Sequence, residues 1–133
     1  YILYTPAEVA WFVSLCAQDV VPGKHHFLLF VFGSYQQRNE ADIASLDDYL
    51  RPLGDHPWPF SWMVCGFDQH EFEVAEAAAS RGGHLRIGFE NNCYQLDGKL
   101  AENNGEQVRQ MVALAEMCGR ISGDSTDAVS LHR

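Results

Sequence analysis

The sequence predicts an α/β fold built on a parallel sheet covered by helices, and three observations carry that reading. Three apolar, β-rich runs recur along the chain: Phe27-Leu28-Leu29-Phe30-Val31-Phe32, Phe60-Ser61-Trp62-Met63-Val64-Cys65, and His84 to Phe89. Each ends at or beside a glycine, namely Gly33, Gly66 and Gly88. The stretches between them have helical spacing. A strand with one wet face alternates polar and apolar residues, whereas a parallel strand covered on both faces is apolar nearly throughout, and a parallel neighbour is reached only through a long crossover, usually a helix. The pattern fits either a (β/α)₈ barrel or a doubly wound sheet, and spacing leaves both open.

The elements follow in order. Thr5-Pro6-Ala7-Glu8 opens a helix, because it offers a hydroxyl cap, a proline at the first helical position and an acid at the third. Val9, Phe12, Val13 and Cys16 lie on one face of that helix at a period near 3.6. After the first apolar run, Ile43, Leu46, Tyr49 and Leu50 repeat the helical period. After the second, the alanine-rich Phe72 to Ala79 favours helix and the Gly82-Gly83 pair stops it. After the third, a helix is expected from Asn104 to Met117, with Val108, Met111, Val112 and Ala115 as its buried stripe and Gly119 at its end. The expected order is helix, strand, helix, strand, helix, strand, helix.

Composition bounds what such a unit does. A chain of 133 residues that is 47% hydrophobic fits one globular domain. No apolar run approaches the ~18 residues of a membrane helix. No basic segment leading into an apolar stretch marks a secretory signal. The net charge of −9 and pI near 4.9 argue against duplex nucleic acid or an anionic membrane as partner, since both require a basic face. Trp11, Trp58 and Trp62 fit helix and strand packing and are not interleaved with basic residues. Cys16, Cys65, Cys93 and Cys118 form no Cys-x-x-Cys pair, which points to reduced, mostly buried thiols and a cytoplasmic protein. The chain opens on Tyr1-Ile2-Leu3-Tyr4 without an initiator Met, and is expected to be a piece of a longer protein.

The chemistry-bearing residues gather at the third run. If the strand stays extended, Arg86, Gly88 and Glu90 point one way and Leu85, Ile87 and Phe89 the other. A carboxylate just beyond the carboxyl end of a parallel strand occupies the position where barrel enzymes keep their sites, and it equally suits a loop cap or an ion-pair partner. Arg86 suits a carboxylate ligand or a structural ion pair, because its guanidinium is forked and permanently charged. Two other turns would share that mouth: Ser34, Tyr35 and Gln36 after the first run, and Phe67, Asp68 and Gln69 after the second. Arg38 is a candidate phosphate contact or a solvated surface arginine. No His-x-His spacing occurs among His25, His26, His56, His70, His84 and His132, and His84 reads more naturally as a core histidine than as a ligand.

Gly82-Gly83-His84-Leu85-Arg86-Ile87-Gly88-Phe89-Glu90-Asn91-Asn92 resembles the last strand of the β-keto acid cleavage enzymes, whose usual form is close to G-G-H-V-R-V-G-L-E-D-N. The likeness continues through Leu96-Asp97-Gly98-Lys99-Leu100-Ala101-Glu102-Asn103-Asn104, Gln107-Val108 and Cys118-Gly119-Arg120, and is looser back to about Phe27. It implies a barrel, with residues 1–133 as a single unit forming its C-terminal part, about three β/α units, and the N-terminal half lying outside the chain. Three strands do not close a barrel, so the isolated chain is expected to self-associate or to be a homo-oligomer.

The resemblance further implies acyl exchange between a β-keto acid and acetyl-CoA, giving acetoacetate and a new acyl-CoA. It implies Glu90 as a ligand of a divalent metal, zinc by preference, with Arg86 beside it in the active site; the match is loose at the loop after the first run, where Arg38 is the candidate phosphate contact if that loop reads the nucleotide of coenzyme A. The family's other metal ligands, a His-x-His pair, are absent here, so the chain by itself is expected to lack a complete metal site. Asn91 departs from the pattern, which has an aspartate thought to serve as the base; an amide cannot take that proton. A non-catalytic member of the family and a different metal-dependent barrel lyase or aldolase are the alternatives.

Overall fold

The computed structural model describes residues 1–33, 43–54, 59–68 and 71–130. Its elements run β1 (Ile2–Leu3), α1 (Pro6–Ala17), β2 (His26–Phe32), α2 (Ile43–Leu50) with a 3₁₀ turn at Arg51–Leu53, β3 (Phe60–Gly66), α3 (Glu71–Ser80), β4 (His84–Leu85), α4 (Asn104–Met117) and α5 (Ser125–Ser130). Two of these were not expected. Strand β1 spans two residues and α5 six, both too short for a periodic signal.

The strands form a four-stranded sheet in the order β1-β2-β3-β4, parallel throughout. His26 to Phe32 run in register beside Phe60 to Gly66, and Met63 and Val64 lie opposite His84 and Leu85. The expected third strand stops early. It ends at Leu85, although the Arg86 N–H still donates to Val64 O at 2.9 Å. Beyond it Gly88 takes φ 158°, and Asn91 N and Asn92 N both donate back to Gly88 O, so residues 88–92 form a turn.

The two faces of the sheet differ. On one, Leu28, Phe30, Phe32 and Val64 pack with Val9, Phe12 and Val13 of α1, Leu46 and Tyr49 of α2, and Val74, Ala77 and Ala78 of α3. Phe30 is fully buried and stacks on Trp62 at 5.8 Å; burying such a side chain stabilises the fold by roughly 1.5–3 kcal/mol. On the other face, Leu29, Val31 and Cys65 cluster with Met63 and Phe67, and no residue of the described helices joins them. A doubly wound sheet carries helices on both faces. Sequential parallel strands with α1, α2 and α3 gathered on one face are consistent with part of a TIM-barrel-like fold.

Helix ends follow their chemistry. The Thr5 hydroxyl accepts from Glu8 N, and the Glu8 carboxylate accepts from Tyr4 N at 2.6 Å, a reciprocal cap. Gly82 at φ 84° ends α3 with Gly83 N donating to Ala78 O, and Gly119 at φ 76° ends α4 with Arg120 N donating to Ala115 O. Helix α4 corrects the expected stripe. Gln107 and Met111 are its buried residues, Val112 and Ala115 are partly buried, and Val108 is 43% exposed. Trp11, expected to pack, is also exposed. None of the four cysteines is in a disulfide; Cys16 and Cys65 are buried, Cys118 is partly buried and Cys93 is exposed, so the thiols are less buried than expected. Among the described residues no helix is long and apolar enough to cross a membrane.

Candidate active site

The carboxyl ends of the parallel strands share one rim of the sheet, and the helix-free face opens there into a cleft of about 400 Å³. Ile2 and Tyr4 border it from the β1 side, Leu29 and Val31 from β2, Cys65 and Phe67 from β3, and Arg86, Glu90 and Asn91 from the segment after β4. Its walls are apolar except on that last side.

Arg86 and Glu90 do meet, by a route other than strand alternation. The backbone leaves the extended conformation at Gly88, and the turn folds Glu90 back so that Arg86 Nη2 donates to Glu90 Oε2. Arg86 Nη1 reaches Cys65 Sγ at 3.7 Å. Burial pushes the Cys65 thiol up, and the guanidinium partly opposes that rise. Arg86 is thus held between β3 and the turn, in reach of the cleft with about two-fifths of its side chain exposed. Asn91 is buried at the cleft wall, and its carbonyl accepts from Asp68 N at 3.0 Å. Asp68, at φ 56°, ties the turn after β3 to the turn after β4.

Sequence reasoning missed the support of that turn. Asn92 is buried with its side chain fully used: Nδ2 donates to Glu71 Oε2 and to Tyr94 O, each at 3.1 Å, and Oδ1 accepts from Tyr94 N at 2.9 Å. Gln107 Nε2 donates to Asn92 O at 2.8 Å and to Tyr94 O at 3.0 Å. The Gly88 backbone also lies close enough to favour the charged form of Glu71. Burial pushes its carboxyl up to about 7, with the hydrogen bonds from Asn92 and Gly88 opposing. Asn104 Oδ1 accepts from Phe89 N at 3.1 Å. The signal available was Gln107, which falls four residues before Met111 on one helix face.

Other expected positions fall elsewhere. Arg38, Ser34, Tyr35, Gln36 and Gln69 lie outside the described residues. His84 is partly buried and its ring stacks on Phe27 at 5.7 Å. Among the described residues no three His, Cys, Asp or Glu side chains gather as a metal site. Glu90 is the carboxylate on the cleft wall, and a half-exposed carboxylate oxygen is a hard donor that suits one position of a divalent ion. One such ligand does not hold the ion alone.

Comparison with known proteins bears on this arrangement directly. The chain is 37% identical over 91 residues to a 3-keto-5-aminohexanoate cleavage enzyme of Fusobacterium nucleatum, covering 68% of this chain and 31% of that protein. It is 40% identical over 77 residues to the 3-keto-5-aminohexanoate cleavage enzyme of Acetoanaerobium sticklandii, covering 58% of this chain and 28% of that one. A 3,5-dioxohexanoate:acetyl-CoA acetone transferase of Paraburkholderia graminis is 28% identical over 57 residues, 43% of this chain and 18% of its own length. The matched segments therefore span less than a third of each relative's length. The sequence model of the beta-keto acid cleavage enzyme family matches residues 1–129, from β1 into α5 and across the whole rim that carries Arg86, Glu90 and Asn91, and the chain belongs to that family.

Proposed function

We propose that the protein containing this chain cleaves a β-keto acid by acyl exchange with acetyl-CoA, and that the chain supplies the last strands of a (β/α)₈ barrel. In the exchange the bond between the acyl carbon and the CH₂–COO⁻ unit breaks, that unit joins the acetyl carbon to give acetoacetate, and the acyl group leaves as a new acyl-CoA. The observation that carries the proposal is the Arg86–Glu90 pair on the one polar wall of an otherwise apolar cleft, in a chain of this family.

Each residue has a task that follows from its chemistry. Arg86 has a forked cation braced by Cys65 and Glu90, suited to receive the keto acid's carboxylate and fix its orientation. The apolar wall of Leu29, Val31 and Phe67 excludes water and strengthens that contact. Glu90 is assigned as one ligand of a divalent ion, zinc by the family likeness, with further ligands from outside the described residues. When bound, such an ion acts as a Lewis acid on the keto carbonyl. Asn91, at the same wall, has an amide able to donate hydrogen bonds to a ligand and accept them from it, but not to take a proton.

That amide favours a second reading, a family member that binds keto acids without turnover. The two are separated in the full-length protein by mass analysis of acyl-CoA formed in a single turnover with acetyl-CoA and a panel of β-keto acids. A new acyl-CoA together with acetoacetate is expected, about tenfold or more slowly in Arg86→Lys, which keeps the charge and loses the fork. Binding without any new acyl-CoA would establish the second reading and overturn the first. Glu90→Gln is expected to lower divalent metal content; unchanged stoichiometry would remove Glu90 from the ligand set.

A further inference from the structure

Glu71 begins α3 and does not itself line the cleft, yet its side-chain hydrogen bond runs to the segment that carries the site. It is 1% exposed. Its Oε2 accepts from Asn92 Nδ2 at 3.1 Å, across 21 residues of sequence, and the nearby Gly88 backbone favours its charged form. Gly88 and Asn92 are the two ends of the turn whose intervening residues are Phe89, Glu90 and Asn91. The turn's own closing bonds, Asn91 N and Asn92 N to Gly88 O, join those same ends. A single carboxylate therefore braces the Asn92 end of the turn from outside.

The approach that makes this possible is built into the sequence. A Cβ on Gly66 would lie 2.9 Å from Glu71 Cα, so only glycine at the end of β3 lets α3 start this close to the sheet. Among the described residues Glu71 Oε1 and Gln107 Oε1 make no hydrogen bond although both are fully buried. Two buried acceptors left over in a network around one asparagine cost stability, and an apolar residue at either place would not incur that cost. Burial also raises the Glu71 carboxyl well above the usual carboxylate range, which is a further cost of keeping an acid there.

We propose that Glu71 is a positioning residue for the candidate active site: by holding the Asn92 side chain it fixes the turn that sets Glu90 against Arg86 and Asn91 against the cleft. The proposal rests on the reading of that cleft given above in so far as it concerns turnover. The geometry of the turn is independent of it.

The test uses the full-length protein and the variants Glu71→Ala, Glu71→Gln and Asn92→Ala. Hydrogen–deuterium exchange is followed in the peptide covering residues 88–94, with residues 26–32 of β2 as the internal reference, and kcat and KM are measured for the exchange with acetyl-CoA. Glu71→Ala and Asn92→Ala, which cut the same bond from its two sides, are expected to speed exchange in 88–94 at least tenfold while leaving β2 unchanged. Glu71→Gln keeps an acceptor oxygen and is expected to restore protection to within about threefold. In the activity arm Glu71→Ala should lower kcat at least tenfold with KM for acetyl-CoA little changed. Unchanged protection of 88–94 in the alanine variants, or equal loosening of 88–94 and β2, would overturn the positioning role. If Glu71→Ala does not fold, Asn92→Ala alone decides. If the natural protein forms no acyl-CoA, the functional reading fails and the exchange data still decide the role of Glu71.

Discussion

Replacing Glu71 by glutamine should make the folded protein more stable at pH 8 than the natural protein, by an amount that nearly vanishes toward acid. The carboxyl is raised from an ordinary 4.5 to about 7 by burial, so the folded state holds its proton more tightly than the unfolded state does. Stability from this group is present in full below about pH 4.5, falls as pH rises, and is lost once pH passes about 7. A rise from 4.5 to about 7 corresponds to roughly 3 kcal/mol; about a quarter of this is already lost at pH 5 and nearly all of it at pH 8. Glutamine has no charge to desolvate and keeps an acceptor for Asn92 Nδ2. Urea unfolding of the full-length protein and the variant, at pH 5 and pH 8 in one buffer series, gives the difference directly. The gap in favour of Glu71→Gln is expected to widen by about 2–3 kcal/mol between those pH values. Every other titrating group is common to both proteins and cancels in the comparison. A gap that stays constant with pH would refute the reasoning, because it would mean that Glu71 ionises as freely when folded as when unfolded.

Gly83→Ala should destabilise the protein by about 1–3 kcal/mol, because a Cβ there would overlap the Trp62 ring, and moving that ring disturbs its stacking on fully buried Phe30. A denaturant midpoint within error of the natural protein's would show that the ring yields freely. Asn91→Asp should raise turnover of a β-keto acid with acetyl-CoA by more than about tenfold, since a carboxylate at the cleft wall can take a proton that an amide cannot, an effect typically worth ~10²–10⁴. Metal content should stay the same. No gain over a natural protein that is already active would assign the base to another group and leave Asn91 an orienting role.

What the sequence made legible was whatever is written in short-range pattern. Helix α1 could be read residue by residue, from the Thr5 cap to the buried Val9, Phe12, Val13 and Cys16, because its signals all lie within four residues of one another. The parallel sheet was legible from apolar runs that do not alternate, and the one-sided covering of that sheet was not, since β2 is apolar on both faces whether helices or a cleft lie beyond. The end of β4 was misread for a related reason. His84 to Phe89 has the composition of a strand, but only Gly88 announces that the backbone turns, and a lone glycine in an apolar run also marks a bulge or a close approach. The Arg86–Glu90 pairing was foreseen on the wrong geometry. Strand alternation and a turn both bring residues four apart to one side, and the pairing alone does not distinguish them. Glu71 and Gln107 were invisible because their partner, Asn92, stands 21 and 15 residues away, and a polar residue within a helix ordinarily faces water.

The adjacent pair Asn91-Asn92 separates the two demands that such a site makes. Two side chains of the same chemistry, one position apart, go to opposite sides of the turn. Asn91 faces the cleft with its backbone carbonyl tied to Asp68, whereas the Asn92 side chain binds Glu71 and Tyr94 on the helix side. A carboxylate at 91 would join a cleft wall that carries Arg86 as well as Glu90, so a cation is on that wall although it already pairs with one acid. A carboxylate at 92 would lose the Nδ2 donor and place a second acid against buried Glu71, with no cation among its bonded partners. Reactivity at this rim can therefore drift through position 91 with little effect on the fold, while position 92 is held by the packing of α3 and α4. That asymmetry explains how a departure from the family pattern can sit inside its strongest motif without disturbing the residues on either side.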